Sequence, residues 1–275
     1  MTGTAADLRD FSGLVMLVGA GKMGGALLEG WLRLGLDPAK VAVIEPNPSA
    51  QISALAARGL RLNPGAASRA DAVVIAVKPQ AAEQAVPAVA RNIGAATLVV
   101  SIMAGRTLQF LSGALGTAAA LVRAMPNTPA AIGRGITVAV TRNVSAAQRD
   151  LADRLLAATG AVEWIDDEAL MDAVTAVSGS GPAYVFLLAE ALAQAGAAAG
   201  LPRHLAENLA RETVAGSGEL LHRSPLDAAT LRENVTSPGG TTAAALAVLM
   251  GEKGLAALLD RAVAAATARS RELAS

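Results

Sequence analysis

Two rhythms of apolar and polar positions divide the 275-residue chain. In the first, short runs of Val, Ile and Leu alternate with stretches whose apolar residues recur at helical spacing. Residues 14–18 (LVMLV), 41–45 (VAVIE), 60–62 (LRL), 71–79 (DAVVIAVKP), 97–102 (TLVVSI), 119–125 (AALVRAM) and 135–141 (GITVAVT) read as strands. The run at 71–79 is apolar on both faces, as a central parallel strand covered on two sides must be. Helices fill the gaps, one running through Leu34 and another over Ser49–Arg58. This alternation predicts right-handed βαβ crossovers and a parallel, doubly wound α/β sheet of Rossmann type.

From Asp166 onward the rhythm is helical only. DEALMDAVTAV, PAYVFLLAEALAQAGAAAG, PRHLAENLARETVAGSGELL, PLDAATLRENV and the run from AAALAVLM to the end all show helical spacing. Gly200 with Pro202, and Ser224 with Pro225, punctuate them. The change falls near Trp164–Asp167, which gives expected domains of 1–165 and 166–275. Several helices are apolar on more than one face, more than about 110 residues can bury alone. An interlocked dimer is the simpler expectation.

Composition narrows the chemistry. Hydrophobic residues make up 53% of the chain and aromatics 2%, so the core is built from Ala, Val, Leu and Ile. The net charge of zero, without a basic run, argues against nucleic acid or an anionic membrane surface as partner. The absence of Cys excludes disulfides, thiol catalysis and thiolate metal sites. His204 and His222 have no ligand cluster around them and read as surface residues, which disfavours zinc and leaves no metal expected. Residues 1–13 (MTGTAADLRDFSG) contain acids and no apolar core, unlike a secretory or transit leader. Apolar stretches are broken by charge or glycine short of about 18 residues, so no membrane-spanning helix is expected. A cytoplasmic protein follows.

VGAGKMGG places Gly19, Gly21 and Gly24 in G-x-G-x-x-G spacing, directly after a strand and opening a helix. That context turns a weak pattern into a dinucleotide fingerprint. Gly19 permits the turn, Gly21 lets a pyrophosphate approach the backbone, and Gly24 lets helix and strand pack closely. Glu45 ends the second strand about 20 residues on, where an acid accepts from the adenosine ribose hydroxyls. A carboxylate there repels a 2′-phosphate, so the expectation leans to NADH over NADPH, although Asn47 and Ser49 leave room for a phosphate. Lys22 inside the loop and Lys78 at a strand's carboxyl end are the lysines placed to meet a ligand.

A second glycine loop interrupts the helical half. VTSPGGTTAAALAVL (235–249) breaks helix for Pro238, two glycines and two threonines, then resumes. It is either an anion cradle or a plain helix corner with a threonine cap. In the cradle reading Pro238 stops one helix and Thr241 or Thr242 caps the next.

VGAGKMGGAL, AVKPQ, SIMAG, MPNTPAAIGRG, SGSGPAYVF and ENVTSPGGTT occur in this order over nearly the whole chain. Together they resemble the pyrroline-5-carboxylate reductase family. The resemblance implies a dinucleotide domain, a helical domain that swaps helices with a second subunit to give a dimer or ring of dimers, and a site at their junction. It implies cofactor contacts from Val18, Gly19, Ala20, Gly21, Lys22 and Met23, from Asn63, from Ala76, Val77, Lys78 and Pro79, and from Met103 and Ala104. Glu168 and Asn234 fall near the nicotinamide or substrate, and Ser237, Gly239, Gly240, Thr241 and Thr242 at the substrate. Many members carry residues suited to NADP after the second strand, whereas Glu45-Pro46-Asn47 stands here.

The implied substrate, 1-pyrroline-5-carboxylate, is a cyclic imine bearing a carboxylate. Its iminium form accepts hydride readily, so catalysis rests on holding donor and acceptor carbons together. SPGGTT answers the need for a carboxylate site without a competing cation, and Thr242 is assigned to the ring nitrogen. SGSGPAYVF reads as a close helix crossing, Tyr184 as packing, and MPNTPAAIGRG as a closure over the nicotinamide side; Asn127 receives no role. Two alternatives remain. A 3-hydroxyacid dehydrogenase needs a lysine base on a helix, and Lys253 sits in a turn-like stretch; a non-catalytic dinucleotide sensor needs no second anion loop.

Overall fold

The computed structural model describes residues 7–64 and 69–274. Part of the leader reading, residues 1–6, lies outside the described residues. Among the described residues eight strands form one sheet: β1 (Val15–Val18), β2 (Val41–Ile44), β3 (Arg61–Leu62), β4 (Ala72–Ile75), β5 (Leu98–Ser101), β6 (Ala120–Met125), β7 (Gly135–Arg142) and β8 (Gly160–Trp164). Their order is β3-β2-β1-β4-β5-β6-β7-β8. The reversal between β1 and β4 is the switch point at which ligands of doubly wound sheets gather.

Helices cover both faces. On one side α1 (Lys22–Arg33) and α5 (Ala146–Leu156) seal Leu17, Val43, Val74 and Val100 under Leu27, Trp31 and Leu155. The Trp31 indole N–H donates to the Leu155 carbonyl at 2.8 Å. On the other, α3 (Ala82–Val89) and α4 (Leu108–Leu115) pack Val86, Leu108 and Leu111 on Met16, Val73, Ile75 and Val99. The short α2 (Ala50–Leu55), continued by a 3-10 turn to Arg58, matches the helix expected from Ser49, whose hydroxyl accepts from Ile52.

Two expectations need correction. β7 runs antiparallel to β6, with Met125 opposite Val138. The link between them holds only a five-residue 3-10 turn, too short for the crossover that parallel pairing requires. The strand β8 was absent from the sequence reading, because its burial alternates with exposure at a sheet edge and Glu163 interrupts it. It pairs parallel to β7 through the α5 crossover.

Beyond Trp164 the described residues hold helices only: α6 (Met171–Val174), α7 (Gly181–Ala198), α8 (Arg203–Arg223), α9 (Ala228–Asn234), α10 (Thr241–Leu249) and α11 (Leu255–Ala274). Thr175–Gly179 winds as a π-turn between α6 and α7. The chain divides into two compact units, one running to Gly179 and taking up the end of α11 from Thr267, the other Ser180–Ala266. Within the first, the Ser270 hydroxyl donates to Asp172 at 2.7 Å. Within the second, α7 and α8 form a hairpin turned by Gly200 at φ 100°. Against expectation, the helical stretch Glu168–Ala198 is long and apolar enough to cross a membrane, and little of it is buried. Its glycines are interruptions in pattern but scarcely lower its apolarity.

Candidate functional site: two glycine-opened helix starts

The first loop joins β1 to α1. Gly19 takes φ 88°, and a Cβ there would stand 2.9 Å from the Ala76 carbonyl oxygen. A Cβ on Gly24 would lie 2.2 Å from the Gly19 carbonyl oxygen, so that position accepts only glycine. Gly21 faces open space instead, which is what a ligand approaching the backbone requires. The first turn of α1 has no side-chain cap and no acid, so its N–H groups and positive dipole end are available to a phosphate. An open cavity of about 480 Å³ adjoins this turn, lined among others by Gly21, Lys22, Glu45, Asn47, Ser49 and Gln51. The residues present therefore fit a dinucleotide.

Glu45 and Asn63 stand beside the loop. The Glu45 carboxylate accepts from the Ala20 N–H at 2.8 Å and the Asn47 N–H at 3.0 Å. Asn63, at φ 47°, accepts the Glu45 N–H on Oδ1 at 2.8 Å and donates Nδ2 to its carbonyl at 2.9 Å. The Ala76–Pro79 segment leaves β4 next to the loop, its first N–H given to the Val18 carbonyl at 2.7 Å. Lys78 is exposed. Met103, after β5, buries its side chain in the core and donates its N–H to Ser101, while Ala104 is exposed. Val18, the glycine loop, Glu45, Asn47, Asn63, Ala76–Pro79, Met103 and Ala104 are thus gathered at the carboxyl ends of β1, β2, β3, β4 and β5.

Two arginines missed in the sequence reading brace this edge. Arg106 donates Nε and Nη2 to the Pro79 carbonyl at 3.2 and 3.0 Å while its guanidinium lies over Phe110. Arg123, buried on β6, pairs with Glu168 Oε1 at 2.8 Å, and the same oxygen accepts the Leu108 N–H at the start of α4. Glu168 is accordingly anchored to the sheet. Asn127 accepts the Ile136 N–H at 3.0 Å and so holds the start of β7.

The second loop belongs to the helical unit. Helix α9 ends at Asn234, four residues ahead of Pro238, so the proline follows the stop and does not make it. Gly239 turns the chain at φ 70°, and Gly240 donates to the Ser237 carbonyl at 3.0 Å. The N-cap of α10 is Gly240, without a side-chain cap, and Thr241 and Thr242 are its first two residues. The expected threonine cap is therefore absent, which leaves the first-turn N–H groups to an outside acceptor. No acid occupies that turn. At the start of α9 the Thr230 N–H holds the Asp227 carboxyl below the usual carboxylate range. His204, His222 and Lys253 are exposed and Tyr184 is half-buried.

Known proteins resemble this chain in sequence and fold. The family described as pyrroline-5-carboxylate reductase dimerisation matches residues 168–273, and NADP oxidoreductase, coenzyme F420-dependent, matches residues 14–105. A pyrroline-5-carboxylate reductase from Pseudomonas aeruginosa is 41% identical over 264 residues, 94% of this chain and 96% of that one. A solved pyrroline-5-carboxylate reductase from Coxiella burnetii superposes with a TM-score of 0.89 at 32% identity, covering 96% and 99% of the two chains. One from Plasmodium falciparum with NADP bound gives a TM-score of 0.79 at 30% identity, over 96% and 99%.

Proposed function

The chain belongs to the pyrroline-5-carboxylate reductase family, and from that premise we propose how it reduces 1-pyrroline-5-carboxylate to proline. The reaction adds one hydride to the imine carbon of the iminium form and leaves a secondary amine, the proton on nitrogen being already present. NADH or NADPH, when bound, supplies the hydride from nicotinamide C4. Residues Gly19–Gly24 hold the pyrophosphate, with Glu45, Asn47 and Asn63 at the adenosine end, and the carboxylate at position 45 favours NADH. Ala76–Pro79, Met103 and Ala104 line the way to the nicotinamide. Leu108 and Arg123 both donate to Oε1 of Glu168, which leaves Oε2 for that side.

Ser237, Gly239, Gly240 and Thr241 receive the substrate carboxylate on the open start of α10, with Asn234 at its margin. The Thr242 hydroxyl oxygen accepts from the iminium N–H and orients the ring. The observation that carries this reading is the pair of uncapped, acid-free, glycine-opened helix starts at α1 and α10. One suits a diphosphate and the other a carboxylate, and neither brings a side-chain cation against the iminium.

The chain self-associates through its helical part, and the exposed apolar face of α7 is covered by a second copy and not by lipid. We extend this to a ring of dimers in the cytoplasm. A lysine-based hydroxyacid dehydrogenase is disfavoured, since Lys253 lies in an exposed turn. The test is steady-state reduction of pyrroline-5-carboxylate with NADH and NADPH side by side. Turnover with either supports the assignment; a folded dimer inactive with both overturns it. Thr242→Val is expected to lower kcat by about a hundredfold through misplacement of the imine, with Thr242→Ser retaining most of it.

A further inference from the structure

The Glu45 carboxylate is divided between two backbone donors before any ligand arrives. Oε2 takes the Ala20 N–H, in the middle of the first loop, and Oε1 takes the Asn47 N–H. The backbone of Glu45 is itself fastened in both directions by Asn63, whose own N–H is given to the Val43 carbonyl at 2.7 Å. The glycine loop thus hangs from the second strand by two adjacent bonds. Gly19 donates to the Ile44 carbonyl at 2.8 Å and Ala20 donates to the Glu45 side chain at 2.8 Å. Only the second of these is supplied by a side chain.

We propose that Glu45 is a positioning residue for the phosphate loop, so that one carboxylate couples the choice of cofactor to the affinity for its pyrophosphate. The inference rests on the reading that the loop seats a dinucleotide. A charge-assisted bond to a backbone N–H is among the stronger kinds, and fixing a loop in its bound shape removes an ordering cost from binding. With the Ala20 N–H spent on Glu45, the pyrophosphate is directed to the first turn of α1. A 2′-phosphate entering the cavity beside Glu45, Asn47 and Ser49 repels the carboxylate. Displacing it strips Ala20 and Asn47 of their acceptor and loosens the loop under the other phosphates. Lys22, on the wall of the same cavity, offsets part of that repulsion. Glu45 therefore disfavours NADPH twice, by charge and by the loop it holds.

The test is calorimetric binding of ADP and 2′,3′-dideoxy-ADP to the full-length protein and its variants. The dideoxy compound keeps adenine and both phosphates but lacks ribose hydroxyls, so Glu45 reaches it only through the loop. Glu45→Ala is expected to weaken dideoxy-ADP about tenfold, and Glu45→Gln, which keeps one acceptor oxygen, about threefold. ADP should lose more than dideoxy-ADP in both. Asn63→Gly retains the carboxylate and relaxes the backbone beneath it, and should shift dideoxy-ADP in the same direction; it and the Gln variant carry the test if the Ala variant is unfolded. Unchanged dideoxy-ADP affinity in folded Glu45 variants overturns the positioning role and leaves a plain ribose contact. Failure of the wild-type protein to bind ADP overturns the dinucleotide reading instead.

Discussion

No residue of β1 or β4, the strands that carry the first loop and its neighbour, is more than 3% exposed, whereas α7 and α10 contain no buried residue at all. Among the described residues, every exposed large hydrophobic except Ile132 lies at or beyond Leu170. Phe186 is 67% exposed and Val248, on the helix that the second loop opens, 76%. The same device, a glycine turn opening an uncapped helix, thus stands on two kinds of scaffold. The first is anchored in a sheet covered on both faces and is complete within one chain. The second stands on helices that leave many large apolar side chains exposed in the single chain, as an interaction surface does. The match of residues 168–273 to a dimerisation family supports self-association through this part of the chain.

Gly24→Ala breaks the self-contained side most severely. Its Cβ would sit 2.2 Å from the Gly19 carbonyl oxygen, so the loop must move and the KM for cofactor should rise about a hundredfold, read by steady-state kinetics. Arg123→Met, which leaves Glu168 without its buried partner, should cost about 2–3 kcal/mol of stability by denaturant unfolding, the lower end following from the partial exposure of Glu168. Gly21→Ala, whose Cβ meets no protein atom but fills the space left for the pyrophosphate, should raise the cofactor KM about tenfold and leave stability unchanged. The ratio between the two glycine variants measures how far the first loop is built to fit.

Asp227→Ala gives the smallest effect. Its carboxyl is held below the usual range by the Thr230 N–H, so the cap stabilises at neutral pH and is lost as pH falls through the folded-state value. The wild-type and variant melting temperatures should therefore differ slightly at pH 7 and converge in acid.

What was legible in the sequence follows the same division. Seven strands and the glycine fingerprint could be read because parallel strands in a sealed sheet leave continuous apolar runs, and because phosphate loops demand glycine at fixed spacing. The antiparallel turn into β7 was hidden, since apolar runs carry no direction. The edge strand β8 was hidden because two of its five residues are exposed and none is buried. Glu45 was recognised as a cofactor residue, but not that it holds Ala20, a partner 25 positions away. Arg123 and Glu168, 45 positions apart, left no local trace. At the second loop the threonines looked like caps because Ser and Thr usually are; Gly240 takes that place in the chain.

We infer that the first loop works in a single chain and the second only in a pair. The most direct test introduces Asp at both Phe186 and Leu187, on the exposed face of α7, and follows mass by sedimentation, ADP binding by calorimetry and turnover of pyrroline-5-carboxylate by kinetics. The expected product is a monomer that binds ADP with wild-type affinity and turns over less than about 1% as fast, in line with loss of an aligned site. A monomer that reduces pyrroline-5-carboxylate at the wild-type rate would contradict it.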